Sequence, residues 1–314
     1  MLHVRVVAPP DVSPRLLETL LSFDSVHNIV SIPGSARRPD GDLVQFDVAR
    51  EGANGVITAL RELDLHRCGS IAIERIDTAI SDAAERSERL SAGDPSEAVV
   101  WEEVEARVRA DSTISATYLA MMALAVMIGA VGVLTDSSVL IVGAMVVGPD
   151  YGPLAGLSFH LYRQRYRKAV GALGAVIVGY LVAMLGALFL TLCVRWFGNI
   201  PTAYTAGARP LTSFIAKPDG WSVIVGVLAG IAGMLAHLEA RSGVLVGVLI
   251  SVTTIPAASN VAVALAVGSW GEANGAAAQL GLNLVVLVIV GWIVLRLGTV
   301  VSRTLRRTRA PEIL

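Results

Sequence analysis

The sequence contains few cysteines, few aromatic residues and few charges. Only Cys68 and Cys193 occur among 314 residues, far apart, which excludes a disulfide framework and a cysteine-based zinc site. Aromatic residues make up 5% of the chain and charged residues 16%, whereas 54% is hydrophobic and the mean hydropathy is +0.64. This apolar content far exceeds what the core of a water-soluble protein needs. The composition therefore predicts an integral membrane protein whose partner is the lipid bilayer.

Motifs of soluble enzymes are also lacking. The sequence has no Walker loop, no HExxH and no GxSxG. We therefore expect no enzymatic activity, no cofactor, no metal site and no nucleic-acid partner. The N-terminus lacks a charged segment followed by an apolar stretch and a cleavage site, so we expect the N-terminal part to stay in the cytoplasm.

Charge is distributed unevenly, which predicts an acidic soluble part and a basic membrane part. Residues 1–111 carry 20 of the 26 acidic and 12 of the 25 basic side chains. Within residues 1–80, alternation of apolar and polar residues predicts strands at Leu2–Ala8, Val26–Ile32, Leu43–Val48 and Ser70–Ile76. Helices are predicted after Asp11 and over Ala53–Leu63. The order βαββαβ is typical of a small α+β ferredoxin-like domain, which by itself assigns no role.

Residues 81–112 are predicted to form a linker and an amphipathic helix at the membrane interface, with Trp101 near the lipid headgroups. Residues 113–298 are predicted to form the membrane domain. Residues 299–314 are predicted to form a basic cytoplasmic tail, whose arginines favour lipid headgroups over nucleic acid.

Six stretches are long enough to cross about 30 Å of hydrocarbon. They are residues 113–134, 137–161, 169–194, 221–238, 242–267 and 276–297. Ten basic residues then fall on one side of the membrane and three on the other. By the positive-inside rule, both termini are predicted to lie in the cytoplasm, which places the protein in the inner membrane.

The first three and the last three predicted spans resemble two copies of one unit. Val139–Met145 leads into a proline-containing segment, residues 148–153, and Val244–Ile250 leads into residues 253–256. With three spans per unit, the second copy enters from the opposite face, so the repeat is predicted to be inverted. Inverted repeats are typical of alternating-access carriers.

Three prolines are predicted to break spans two and five near mid-membrane: Pro149, Pro153 and Pro256. Each proline removes a backbone donor and frees a carbonyl, and hydrocarbon cannot satisfy such groups. The three prolines and six polar residues beside the breaks are the candidates for substrate or ion binding. The six polar residues are Asp150, Tyr151, Thr253, Thr254, Ser259 and Asn260.

Asp150 is the first candidate, because an aspartate at the centre of a span costs roughly 2.5 to 3.5 kcal/mol. Three interpretations of Asp150 stay open. In the first it carries a proton, and in the second it binds a cation together with the freed carbonyls. In the third it caps the N-terminus of the second half-helix.

Small residues recur at a spacing of four, as Gly148, Gly152, Gly156 and as Gly226, Gly230. This spacing is typical of close helix packing, and glycines next to prolines also suit a hinge. Gln279 and Asn283 are expected to form interhelical hydrogen bonds.

The chain resembles a family of prokaryotic membrane proteins, domain of unknown function 389. The resemblance rests on Trp101, Tyr118, Asp136–Met145 and the Gly-Pro-x-x-Gly-Pro of residues 148–153, within residues 100–270. Many members have an aliphatic pair between the two prolines, where this chain has Asp150 and Tyr151. The resemblance implies a membrane location and brings no substrate.

The sequence favours one function and leaves an alternative open. The favoured function is a secondary carrier or a pathway for an ion or small solute, with its site at the two breaks. The alternative is a membrane-anchored sensor or scaffold, in which the N-terminal domain binds an effector or drives homo-oligomerisation. A membrane-embedded enzyme is disfavoured, since the sequence shows no convincing pair of nucleophile and base.

Overall fold

The computed structural model describes residues 1–76, 81–90, 100–205, 207, 209–216, 219–239 and 253–309. The chain divides into two compact units, one built mainly from Met1–Val104 and the other from Glu105–Val300.

The first unit contains a four-stranded antiparallel sheet. Its strands are β1 (Leu2–Ala8), β2 (Val26–Arg37), β3 (Asp40–Val48) and β4 (Ser70–Arg75). Its helices are α1 (Ser13–Leu21), α2 (Arg50–Glu62), the single turn α3 (Leu65–Cys68), α4 (Asp82–Leu90) and the beginning of α5 (Trp101–Asp111). The strand order in the sheet is β2-β3-β1-β4, and every neighbouring pair is antiparallel. The predicted alternation of strands and helices is thus present, with α3 added.

Alternation along β1 explains the core of this unit. Leu2, Val4 and Val6 point to one face and are fully buried, together with Leu16 of α1 and Leu60 of α2. This pattern lets one sheet face bury its apolar side chains under two helices.

The hairpin between β2 and β3 is longer than predicted. We expected residues 33–35 to end the second strand, but β2 runs on to Arg37. Gly34 adopts a left-handed conformation within a register shift, and its N–H donates to the Asp42 carboxylate at 2.8 Å. A bulge therefore absorbs the turn-forming residues without ending the ladder.

The second unit is helical. Its helices are α6 (Ala116–Leu134), α7 (Ser138–Val147), α8 (Tyr151–Tyr162), α9 (Tyr166–Trp196), α10 (Thr202–Thr205), α11 (Gly220–Glu239), α12 (Thr254–Val267) and α13 (Trp270–Arg309), with a 3₁₀ turn at Ser213–Ala216. Serine caps begin two of them, because Ser115 and Ser137 accept backbone N–H bonds from Tyr118 and Leu140.

Four of these helices, α6, α9, α11 and α13 up to Gly298, are long and apolar enough to cross a membrane, and α7 with α8 makes a fifth if the bent pair counts as one span. Large aromatic side chains lie exposed at one end of α9, α11 and α13, among them Trp196 (87% exposed), Trp221 (74%) and Trp270 (69%). Exposed aromatic residues at helix ends are typical of a membrane–water interface. Length, composition and surface are thus consistent with a membrane protein.

The six predicted spans are only partly described. The prediction for 242–267 overlaps residues 240–252, which lie outside the described part, and α12 covers its second half. The linker prediction includes residues 91–99 and the tail prediction includes residues 310–314, which lie outside it as well. Six spans and an inverted repeat therefore stay predictions.

Candidate functional site

The helix that contains the first proline cluster is interrupted. α7 ends at Val147, α8 begins at Tyr151, and the two helices are bent by 52° across the gap. Gly148, Pro149 and Asp150 form the gap. Glycine suits this position sterically, because a Cβ on Gly148 would lie 2.8 Å from the Ile255 side chain of α12.

Two of the three prolines lie in the first turn of a helix. Pro153 lies in the first turn of α8 and Pro256 in the first turn of α12. The first N–H groups of a helix have no intrahelical partner, so proline costs nothing there. These prolines therefore mark the starts of α8 and α12, and the interruption before α8 lies at residues 148–150. The residues before Thr253 lie outside the described part, so the break predicted at Pro256 stays a prediction.

The starts of α8 and α12 meet at the carboxyl group of Asp150. Asp150 is 4% exposed, and its Oδ2 accepts hydrogen bonds from the Tyr180 hydroxyl of α9 and the Thr254 hydroxyl of α12, each at 2.6 Å. Thr254 lies 104 positions further along the chain than Asp150. The two proline-containing segments singled out in the sequence are therefore joined by a direct hydrogen bond.

The capping interpretation of Asp150 is not supported by the geometry. Asp150 occupies the N-cap position of α8, but its side chain makes no capping hydrogen bond. Its second oxygen, Oδ1, is buried and has no hydrogen-bond partner among the described residues. The hydrogen bonds of the carboxyl group thus run to α9 and α12.

A second polar cluster adjoins the first through consecutive residues of the chain. The Thr253 hydroxyl accepts hydrogen bonds from the Asn283 amide at 2.9 Å and from the Gln279 amide at 3.3 Å, both on α13. The predicted interhelical role of Gln279 and Asn283 is therefore observed. Thr253 and Thr254 together connect α13 to Asp150.

A cavity of about 410 Å³ reaches this second cluster. Its walls come mainly from α7, α11 and the segment before α11, and they are mostly apolar, including Ile141, Trp221 and Val225. Thr253 and Asn283 contribute polar atoms to its lining. The cavity therefore brings an otherwise mostly apolar space up to Thr253, the neighbour of the Thr254 that bonds to Asp150.

Other predicted site residues point elsewhere. The Tyr151 ring packs against Gly233 and lies edge-on to His237, with ring centroids 6.3 Å apart. Ser259 faces α6, where its hydroxyl lies 3.0 Å from the Val126 carbonyl. Asn260 is 1% exposed, and its amide has no hydrogen-bond partner among the described residues. Of the nine predicted binding residues, Asp150, Thr253 and Thr254 form the hydrogen-bonded cluster.

The glycines act mainly in packing. A Cβ on Gly152 would lie 2.8 Å from Asp111, and one on Gly156 would lie 2.0 Å from the Ser112 hydroxyl. Gly226 and Gly230 of α11 similarly face Val286 and Val290 of α13. The spacing of four thus lets helix backbones approach closely, as predicted.

Tyr180 was not a candidate in the sequence. It lies midway along the apolar helix α9, and it is 4% exposed. Its position next to Gly179 was the available signal, since Gly179 makes room for Tyr118 of α6, whose hydroxyl donates to the Ala175 carbonyl at 3.1 Å. A tyrosine beside a glycine at mid-span indicates a close helix contact rather than a lipid-facing side chain.

Charged residues cluster at the opposite end of α8 from Asp150. Glu105 of α5 pairs with Arg165 and with Lys168, the latter at 3.0 Å. Burial acts to raise the pKa of Glu105, but the hydrogen bonds and charges of Lys168 and Arg165 outweigh it and hold the pKa below its ordinary value. Arg107 donates to the His237 carbonyl at 2.7 Å. These bonds connect α5 to the beginning of α9 and to the end of α11.

Metal ligands do not come together in the described part of the chain. No group of three or more His, Cys, Asp or Glu side chains there could hold a metal ion. Asp150 is accompanied by hydroxyl and amide groups instead, which suit a proton, a cation or a polar solute.

Comparison with known proteins supports the resemblance read from the sequence. Residues 145–289 match the model of a family described as Domain of unknown function (DUF389). An uncharacterised protein of Methanocaldococcus jannaschii is 23% identical over 145 residues, which are 46% of this chain and 42% of that protein. No solved structure matches the chain. The matched region contains Asp150, Tyr180, Thr254 and Asn283, and neither description assigns a substrate.

Proposed function

We propose that this protein, whose residues 145–289 carry the DUF389 match, is a secondary carrier or a pathway for an ion or small solute. The observation that carries the proposal is the hydrogen bond from Thr254 to Asp150, which joins the starts of two short helices inside an otherwise apolar bundle. Short helices that begin inside a membrane domain are how many carriers build their binding sites.

A shared local pattern supports the predicted repeat. In α8, Asp150 precedes the first turn and Pro153 follows three residues later. In α12, Thr253 precedes the first turn and Pro256 follows three residues later. A polar residue followed by proline at the same offset begins both helices. This match favours two related units, arranged as a six-span, 3+3 inverted repeat.

The proposed arrangement in the cell follows from the charge pattern. Under the positive-inside rule, both termini lie in the cytoplasm and the membrane is the inner membrane. The first unit is then a ferredoxin-like cytoplasmic domain, and the cavity beside Thr253 opens towards the outer side. Pairing of the sheet edges, β2 and β4, offers a route to a homo-oligomer.

A sensor or scaffold is the second candidate function, and the separate core of the first unit favours it. That unit packs its own buried residues around Leu2, Phe46 and Leu60. Deleting residues 1–90 discriminates between the two functions. A carrier keeps an accessible site in the membrane domain after the deletion, whereas a sensor loses its function.

The carrier proposal is tested by the accessibility of Thr253 to water. Thr253→Cys is made in a chain whose two native cysteines are replaced by serine, and membrane vesicles of each orientation are treated with a membrane-impermeant methanethiosulfonate. We expect Thr253→Cys to react from at least one side, and from the other side once the site is reoriented by an ion gradient.

The matched control is Leu181→Cys. Leu181 is one residue from Tyr180 and is 51% exposed on the outer surface of α9, so it faces lipid at similar depth. It should not react with the impermeant reagent. If Thr253→Cys is as unreactive as Leu181→Cys in both orientations, no aqueous pathway reaches the site and the proposal fails.

A further inference from the structure

We infer that the ion bound at this site is a proton, and that Asp150 carries it as a neutral carboxylic acid in the state described. The inference deepens the proposed function and rests on it for its role in transport. The hydrogen bonds of the carboxyl group, its burial and its neighbours support the assignment.

The two carboxyl oxygens of Asp150 have different surroundings. Oδ2 accepts two hydrogen bonds, from Tyr180 and Thr254, which matches the two lone pairs of a carbonyl oxygen. Oδ1 is buried and receives no hydrogen bond from the described residues. In a carboxylate both oxygens share the negative charge, so one of them would be buried without a donor. In a carboxylic acid Oδ1 is a neutral hydroxyl, and burying a neutral group without a partner costs less than burying a charged oxygen without one.

Nearby charges do not compensate a carboxylate. No ion pair among the described residues involves Asp150, and the titratable groups that interact with it are the phenols of Tyr180 on α9 and Tyr118 on α6. On α12 the contacting group is the Thr254 hydroxyl, while Tyr151 of α8 is turned towards α11 and His237. An unpaired charge in such surroundings is strongly disfavoured relative to the neutral acid.

A metal cation fits the site less well than a proton does. Calcium takes six to eight oxygen ligands and magnesium six. Here the hydroxyl oxygens of Tyr180 and Thr254 each lie 2.6 Å from Oδ2, which leaves no space for a cation between them and the carboxyl group. A cation placed there would need these oxygens to move apart.

The surroundings also allow the proton to leave. The N-terminal ends of α8 and α12 both lie at Asp150, and helix N-termini favour negative charge. When water enters from the cavity beside Thr253, it can accept the proton as hydronium and solvate Oδ1. The carboxylate that remains is then stabilised by two helix ends and two hydroxyl donors.

The test uses dicyclohexylcarbodiimide, a hydrophobic reagent that adds to protonated carboxylic acids in apolar surroundings. Purified full-length protein is treated over a pH series in sodium chloride or choline chloride, and the adduct is located by peptide mass spectrometry. We expect an adduct at Asp150, decreasing about tenfold per pH unit above the midpoint, with the same midpoint in both salts. Asp219, which has an exposed carboxylate that accepts from Ser222, is the internal control and should carry none.

A second measurement separates poor reagent access from ionisation. The infrared absorption of a protonated carboxyl group should be present at neutral pH and absent in Asp150→Asn. Protection of Asp150 by sodium, or the absence of both adduct and infrared band, overturns the proton assignment. Water-accessible Thr253→Cys without a protonated Asp150 would leave the pathway standing and remove only the proton. A protonated Asp150 with an unreactive Thr253→Cys would leave the proton assignment standing and remove the pathway.

Discussion

At the scale of single residues, the Asp150 carboxyl group depends on two hydroxyl donors. Each donates to the same oxygen at 2.6 Å, so removing either leaves a buried carboxyl group with a single hydrogen bond. A buried polar group that loses a partner costs about 1–3 kcal/mol. These two hydroxyls should therefore matter more for stability than others in the membrane domain.

We predict that Tyr180→Phe and Thr254→Val each lower the free energy of unfolding by about 1–2 kcal/mol. Because both act on one acceptor, the double variant should differ from the sum of the single variants. Unfolding in mixed micelles, followed by circular dichroism, measures these effects. Thr135→Val is the control, since its hydroxyl is exposed and donates only within α6. Additive effects no larger than that of the control would show that the two hydroxyls do not share Asp150.

The sequence identified Asp150 and Thr254 as candidate binding residues, but it did not identify Tyr180. An aspartate in an apolar span is conspicuous because its cost in hydrocarbon demands an explanation. A tyrosine is not, because tyrosine is tolerated both at lipid interfaces and in helix contacts. The burial of Tyr180 depends on how α9 packs against α6 and α12, and no local pattern contains that information.

At the scale of elements, glycines at helix contacts set how closely the helices approach. A Cβ on Gly129 of α6 would lie 2.2 Å from the Ser259 hydroxyl of α12. By contrast, Gly174 of α9 has no described atom within 4 Å of that position. The two positions form a matched pair for testing the contact between α6 and α12.

We predict that Gly129→Ala destabilises the protein by about 1–3 kcal/mol, because overpacking forces the helices apart. Adding Ser259→Ala should restore part of the loss, since it removes the nearest atom. Gly174→Ala should be neutral or slightly stabilising, because alanine favours helix formation. Thermal unfolding in detergent measures all three variants. Equal effects of Gly129→Ala and Gly174→Ala would mean that α6 and α12 do not touch at Ser259.

The pairing of α5 with α9 predicts a dependence on pH. The pKa of Glu105 is lowered in the folded protein, so this pairing contributes stability above the ordinary value of 4.5 and loses it as the pH falls through the lower folded value. The melting temperature of the wild type should fall over this acidic range by more than that of Glu105→Gln. Parallel curves for the two proteins would show that Glu105 is not paired.

The positions of the prolines show what the sequence could and could not predict at this scale. It located the interruption at residues 148–150, because proline and glycine there are incompatible with a continuous helix. It did not show that Pro153 and Pro256 lie in first turns. Proline is equally suited to a helix start and to a kink, and only the position of the helix decides between them.

At the scale of the whole molecule, the proposed function depends on a contact between distant parts of the chain. Local alternation of apolar and polar residues predicted the N-terminal strands, and the length of the apolar stretches predicted the long helices. The meeting of α8 and α12 did not follow from such a local pattern, since no periodicity relates Asp150 to a residue 104 positions away. The proline pattern suggested similar depth, and the hydrogen bond places the two segments together.

The most direct test of this contact is a cross-link between the two helix starts in native membranes. Asp150→Cys with Thr254→Cys, made in a chain whose native cysteines are replaced by serine, is treated with a short thiol cross-linker and analysed by mass spectrometry. We predict an efficient link in this pair and none between Asp150→Cys and Leu185→Cys, which is 63% exposed on α9. A pair at 150 and 254 that links no better than this control would contradict the account.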